Sequence, residues 1–158
     1  MIDRSTPTPF PRFEVRDLEG RAMTLPDDLP GPCDLLVLAF RRGQQRDVDG
    51  WRDAVAGLGA LDVGFWEVPV IGRAWTPVRG WIDGGMARAI PDIAVRTHTL
   101  TAYGETGVVR DALGIDGPGS VAPMLVVGGV VRWQARGPVT SEAVAGLAEA
   151  IRGHGGGL

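Results

Sequence analysis

The chain has 158 residues, enough for one domain with a real core, and its 44% apolar content is that of an ordinary globular protein. Its net charge of −3 excludes the basic surplus that general affinity for nucleic acid or anionic membranes requires, although all 16 basic residues are arginine. A single cysteine, Cys33, excludes an intrachain disulfide and any multi-thiolate metal cluster, and no metal or other cofactor is expected.

Residues 1–11 are rich in proline and threonine and read as an extended lead-in, with no apolar stretch of the length a secretory signal needs. No run approaches the roughly 20 apolar residues of a membrane span, so a cytoplasmic location is the expectation. Residues 12–16 alternate (Phe13, Val15), 17–20 supply a turn, and 22–25 return as the second strand of a β-hairpin. Residues 26–32 form a proline-rich loop that delivers the chain into 35–40, LLVLAF, six apolar residues that suit a buried central strand.

After this strand comes a charged loop, and Val48, Trp51, Val55 and Leu58 then recur at helical spacing. The spacing predicts a helix beginning within 46–49, where Asp47 or Asp49 can accept from free first-turn N–H groups. A second strand is expected over 63–71 with Pro69 near its end. A helix opened by Thr76 and Pro77 follows over 76–86, and a β-branched strand over 95–101. A short helix over 105–113 should bury Val108, Val109 and Ala112 and stop at Gly114. Residues 121–127 and 130–136 form a hairpin about Gly128 and Gly129, and simple alternation sets Val131, Trp133 and Ala135 on one side, with Arg132, Gln134 and Arg136 on the other. Thr140 caps a last helix through Arg152. The expected organisation is therefore a lead-in over 1–11, one domain over 12–152 and a glycine-rich tail over 153–158.

This order of elements implies an α/β protein, a central mixed sheet flanked by helices with an N-terminal β-hairpin. The DLEGR of 17–21, the LLVLAF strand running into its loop, YGETGVVRDALGI over 103–115 and VAPMLVVGGVVRW over 121–133 together resemble the thioredoxin-like superfamily, especially its peroxiredoxin-like branch. Trp51, the ALGI of 112–115, Val131-Arg132-Trp133, Gly137 and the helix over 140–147 look like the mitochondrial ATP-synthase assembly-factor family, which is thioredoxin-like and lacks redox cysteines. The resemblance implies a thioredoxin-like fold in which a reactive cysteine would occupy the start of the first helix, where backbone donors lower a thiol's pKa. Here that stretch is Gly43-Gln44-Gln45-Arg46, with no cysteine, serine or histidine. The resemblance also implies a cis Ala122–Pro123 bond beside this loop.

The function expected is thus that of a non-catalytic protein-binding or assembly module. Its binding face would be Arg42, Gly43, Gln44, Gln45 and Arg46 with Ala122 and Pro123, a groove offering backbone groups to a protein partner as in strand addition. Two alternatives stand beside it: a divergent single-cysteine peroxidase or oxidoreductase using Cys33, and an anion or small-molecule binder at the loop carrying Arg41, Arg42 and Arg46. The simplest reading of Cys33 is a small buried apolar residue, and of the arginines a solvated loop balanced by Asp47, Asp49 and Asp53. His98 and His154 have no partner at ligand spacing. The tryptophans either fill a core poor in Phe and Tyr or mark an interface, with Trp66, Trp75 and Trp81 clustered around the second strand. Oligomeric state has no signature in the sequence.

Overall fold

The central strand forms as β4, Cys33–Ala39, with all seven residues buried. The computed structural model of the protein describes residues 8–17, 19–29, 33–58, 63–72, 99–104, 106–115, 117 and 119–153. The helix expected over 76–86, Trp75, Trp81, both histidines and the extreme termini lie outside the described residues.

A strand buried on both faces must have neighbours on both edges, and β4 does. It runs parallel to β5 (Gly64–Gly72) and antiparallel to β7 (Ala122–Val127). β6 (Ala102–Gly104) continues the sheet beyond β5; β8 (Val130–Gln134) and then β1 (Thr8–Pro9) continue it beyond β7. The order is β1-β8-β7-β4-β5-β6, a mixed sheet. The expected hairpin is β2 (Phe13–Arg16) with β3 (Ala22–Leu25), tied to the main sheet by reciprocal backbone bonds between Arg16 and Thr101 at 2.9 and 2.7 Å. Its turn is set by Asp17, 3% exposed, whose Oδ1 accepts from the backbone N–H groups of Glu19 and Arg21.

Alternate residues along each strand feed two cores. Leu36, Leu38, Trp66, Val68 and Met124 meet Val15 and Leu25 of the hairpin, together with Val109 and Leu113 of α2 (Thr106–Leu113). On the other face Leu35, Val37 and Leu125 meet Val48 and Trp51 of α1 (Gln45–Ala56) and Leu147 and Ile151 of α3 (Ser141–Gly153). Thr140 caps α3 as expected, its Oγ1 accepting from the Ala143 N–H at 3.1 Å. Gly128 (φ 60°) and Gly129 (φ 80°) make the β7–β8 turn with the positive φ values that favour glycine. Among the described residues no helix is long and apolar enough to cross a membrane.

Three expectations are corrected. Residues 8–10 of the lead-in are held in the fold: Thr8 and Pro9 pair with β8, and Phe10 is 3% exposed, its N–H donating to the Gly129 carbonyl. Of the strand expected over 95–101, residues 95–98 lie outside the described residues; Thr99 and Thr101 make isolated bridges to Glu67 and Arg16, and the described strand that follows is β6. α2 turns Val109 and Leu113 inward, an i,i+4 pair, and leaves Ala112 exposed. The third lies in β8. Val126 pairs with Val131 and Leu125 with Trp133, so Arg132 is an extra residue facing no partner, a β-bulge. The alternation that would have set Val131 and Trp133 on one side is broken. Val131 joins the hairpin-side core and Trp133 the helix-side core.

Candidate binding face

The C-terminal end of β4 leads through Phe40 and Arg41 into a 3₁₀ turn, Arg42–Gln44, which runs directly into α1 at Gln45. The helix therefore begins before Asp47, and Gln44 is its N-cap without a side-chain capping bond. The Gln44 side chain folds back instead. It is 7% exposed, and its Oε1 accepts from the backbone N–H groups of Phe40 (2.8 Å) and Arg41 (3.3 Å). An amide carbonyl thus holds the loop shut from inside, and neither Asp47 nor Asp49 is at the N-cap position. Arg41, Gly43, Gln45 and Arg46 are exposed around it.

Ala122 and Pro123 sit beside this end of β4, opposite Leu38 and Val37, but they open β7 as buried strand residues rather than forming a turn. The cis peptide in the described chain is Leu25–Pro26, not Ala122–Pro123. Pro123 needs no special bond to fit. Its carbonyl accepts from Ala135 N–H at 3.0 Å just past the end of β8, so its missing N–H falls where the regular ladder has finished. The Val121 carbonyl accepts from Gly137 N–H at 2.9 Å. The chain's own residues 135–137 therefore occupy the backbone groups that strand addition at Pro123 would use. Gly137 (φ 85°) is fastened from the other side as well, its carbonyl accepting from Trp51 Nε1 at 2.9 Å.

Cys33 opens β4 at the opposite end from the loop, about 20 Å away along a strand rising roughly 3.3 Å per residue. It is 1% exposed, opposite Val127, in the helix-side core. Trp66 is buried with its Nε1 donating to Asp34 Oδ1 at 2.9 Å, whereas Trp133 is half-buried and meets Trp51 edge-on at 5.9 Å between ring centroids.

One group beneath the loop was not singled out from the sequence. Glu67 on β5 lies between Val37 and Thr99 and is 2% exposed. Its Oε2 accepts from Arg52 Nη2 at 3.0 Å, and Gln45 also hydrogen-bonds to it. Arg52 reaches back to Asp49 Oδ1 at 3.1 Å, and Gln45 Nε2 donates to the same oxygen at 3.0 Å. Burial raises the Glu67 pKa above its ordinary value of 4.5, outweighing the hydrogen bond from Gln45 and the charge of Arg52, while the Asp49 charge pushes the same way as burial. The signal available in the sequence was a lone carboxylate inside an otherwise apolar strand, GFWEVPVIG.

A parallel β4–β5 pair, the antiparallel β7–β8 hairpin beyond β4, α1 and α3 on one face and α2 with the β2–β3 hairpin on the other define the architecture. The sequence matches no protein-family model and no curated protein. Solved structures do match it. BsSco, a member of the Sco family of cytochrome c oxidase assembly proteins, superposes with a TM-score of 0.65 at 14% identity over 94% of both chains. The fold is thioredoxin-like. A thiol:disulfide interchange protein from Bacteroides sp. gives 0.62 at 17% identity over 95% of this chain and 92% of its own. The thioredoxin domain of a thiol-disulfide oxidoreductase from Bacteroides vulgatus gives 0.58 at 15% identity over 91% and 96%. At these identities the likeness is one of fold. In this thioredoxin-like chain, Gln44 and Gln45 stand where the sequence resemblance would set a reactive thiol.

Proposed function

We propose that this protein, of the peroxiredoxin-like kind its sequence resembles, works by binding or assembling a protein partner rather than by thiol chemistry. One observation carries the reading: the start of α1 is built from two amides engaged in the protein's own hydrogen bonds, while Cys33 lies buried at the other end of β4. A thiol acts as a nucleophile only as an accessible thiolate, and a 1% exposed cysteine in an apolar core is not one. The assembly role named for BsSco and the resemblance to the ATP-synthase assembly factors favour a scaffold use of the fold. The binding face is the loop over 42–46, with exposed Gly43, Gln45 and Arg46 as contacts and Ala122 and Pro123 as its buried backing. Arg41 and Arg46 are exposed and enter none of the ion pairs among the described residues, so the partner segment that suits this face is acidic. The same two arginines support a second reading, a small anion at the loop.

The test is catalytic turnover. The purified protein is expected to reduce insulin disulfides and to consume hydrogen peroxide with a thiol donor no faster than a protein-free blank, with Cys33→Ser indistinguishable from wild type. Turnover abolished by Cys33→Ser would overturn the binding reading in favour of a single-cysteine peroxidase or oxidoreductase.

A further inference from the structure

Beneath the loop, two carboxylates share one cation. Arg52, a third exposed along its side chain, bridges Asp49, which is half in water at 51%, and Glu67, which at 2% is not. Gln45 adds an amide to both. Among the described residues the charged groups facing Glu67 all come from α1; β4 presents Val37 beside it and the other neighbour is Thr99, neither titratable. Arg52 is also stacked on the Phe65 ring, its guanidinium carbon 5.5 Å from the centroid, which limits where its charge can move. The cluster therefore has two carboxylates for one guanidinium, and of the two carboxylates Glu67 is the one that water cannot reach.

We propose that the Gln45–Asp49–Arg52–Glu67 cluster is a proton-responsive brace: one proton taken up at Glu67 balances the cluster and tightens the first turns of α1, and with them the loop over 43–47, against β5. Arg52 keeps Asp49 as its ionic partner after protonation, and the neutral Glu67 still accepts hydrogen bonds through its carbonyl oxygen. The sign follows from linkage. Opening the start of α1 lets water reach Glu67 and returns it to ordinary carboxyl behaviour, so a proton held more firmly in the closed form favours closure. The stabilising contribution is fully present below the ordinary value of 4.5 and is lost as pH rises through the raised value of the folded protein. At higher pH the buried charge makes the same turns easier to open.

The brace does not depend on what the loop binds, and its test reads backbone exchange rather than binding, so its failure leaves the proposed function standing. Hydrogen exchange of the amides of residues 49–53, corrected for the intrinsic pH dependence, is measured between pH 8 and pH 4, so that the series passes below the ordinary value of 4.5. Protection in the wild type is expected to rise about tenfold on acidification, the scale of one hydrogen bond involving a charged group. In Glu67→Gln, which carries a neutral side chain of the same shape, protection should be high and flat. A wild-type profile that does not change with pH, or a Glu67→Gln profile that changes equally, overturns the brace. Asp49→Asn keeps the proposal testable if the first variant folds poorly: with its competitor gone, Arg52 serves Glu67 alone, and the rise should move to lower pH. An unmoved rise in that variant would also count against it.

Discussion

β4 and β8 lie in one sheet with only β7 between them, yet they distribute their residues in different ways. β4 is regular: Leu36 and Leu38 enter the hairpin-side core, Leu35 and Val37 the helix-side core, and its pairing on both edges runs without a shift. β8 reaches the same result by a fault. Arg132 stands outside the ladder, so Val131 and Trp133, two residues apart, go to opposite faces. A buried strand with partners on both edges has no freedom to slip, because one step would move its whole apolar set to the wrong side. A strand near the edge, next to the two-residue β1, can absorb an extra residue with its side chain in water. The bulge is what brings Trp133 over α3, where Gly146 leaves room: a Cβ there would lie 3.2 Å from Trp133 Nε1.

Among side-chain truncations, the largest effect that would test this contrast is on Trp51, which is completely buried against the regular half of the sheet. Trp51→Ala should cost about 3–5 kcal/mol in chemical denaturation, because the cavity cannot collapse and the Gly137 carbonyl loses its donor. Trp133→Ala, beside it but only partly buried, should cost less, about 1–3 kcal/mol, since part of its surface is never removed from solvent. If the two costs were equal, Trp133 would be as enclosed as Trp51, and the edge would be no looser than the centre.

Deleting Arg132 sharpens the comparison most directly. With a bulge, the deletion restores a regular ladder and leaves Val131 opposite Val126 and Trp133 opposite Leu125, so the cost should stay near about 1–2 kcal/mol. Without one, every residue after the deletion would change face and the β7–β8 hairpin would be lost. The same deletion made within β4, at Val37, should abolish folding. Arg132→Ala is the smallest effect: an exposed side chain outside the ladder should contribute within about 0.5 kcal/mol, measured by the same denaturation.

The candidate face divides along similar lines. The absence of a thiol at the start of α1 was readable from Gly43 to Arg46 alone, and so was the arginine content of the loop. That Gln44 turns inward and ties Phe40 and Arg41 was not, because a glutamine in a polar loop carries no sign of the direction its amide takes. Glu67 and Arg52 are 15 residues apart on different elements, and no local pattern joins them.

What the sequence determined by itself was set by local periodicity and turn chemistry. The apolar run at β4, the Gly128–Gly129 turn, the Thr140 cap and the Asp17 turn each specify their element from neighbours a few residues away, and together they imply a mixed sheet with helices on both sides. The tertiary structure alone decided the register of β8, the capture of residues 8–10 by the sheet edge, the closure of the Pro123 edge by residues 135–137, and the pairing of Glu67 with Arg52. Each of these turns on which distant backbone or charge arrives within hydrogen-bonding reach, and that is fixed by how the two cores pack against the sheet rather than by any spacing along the chain.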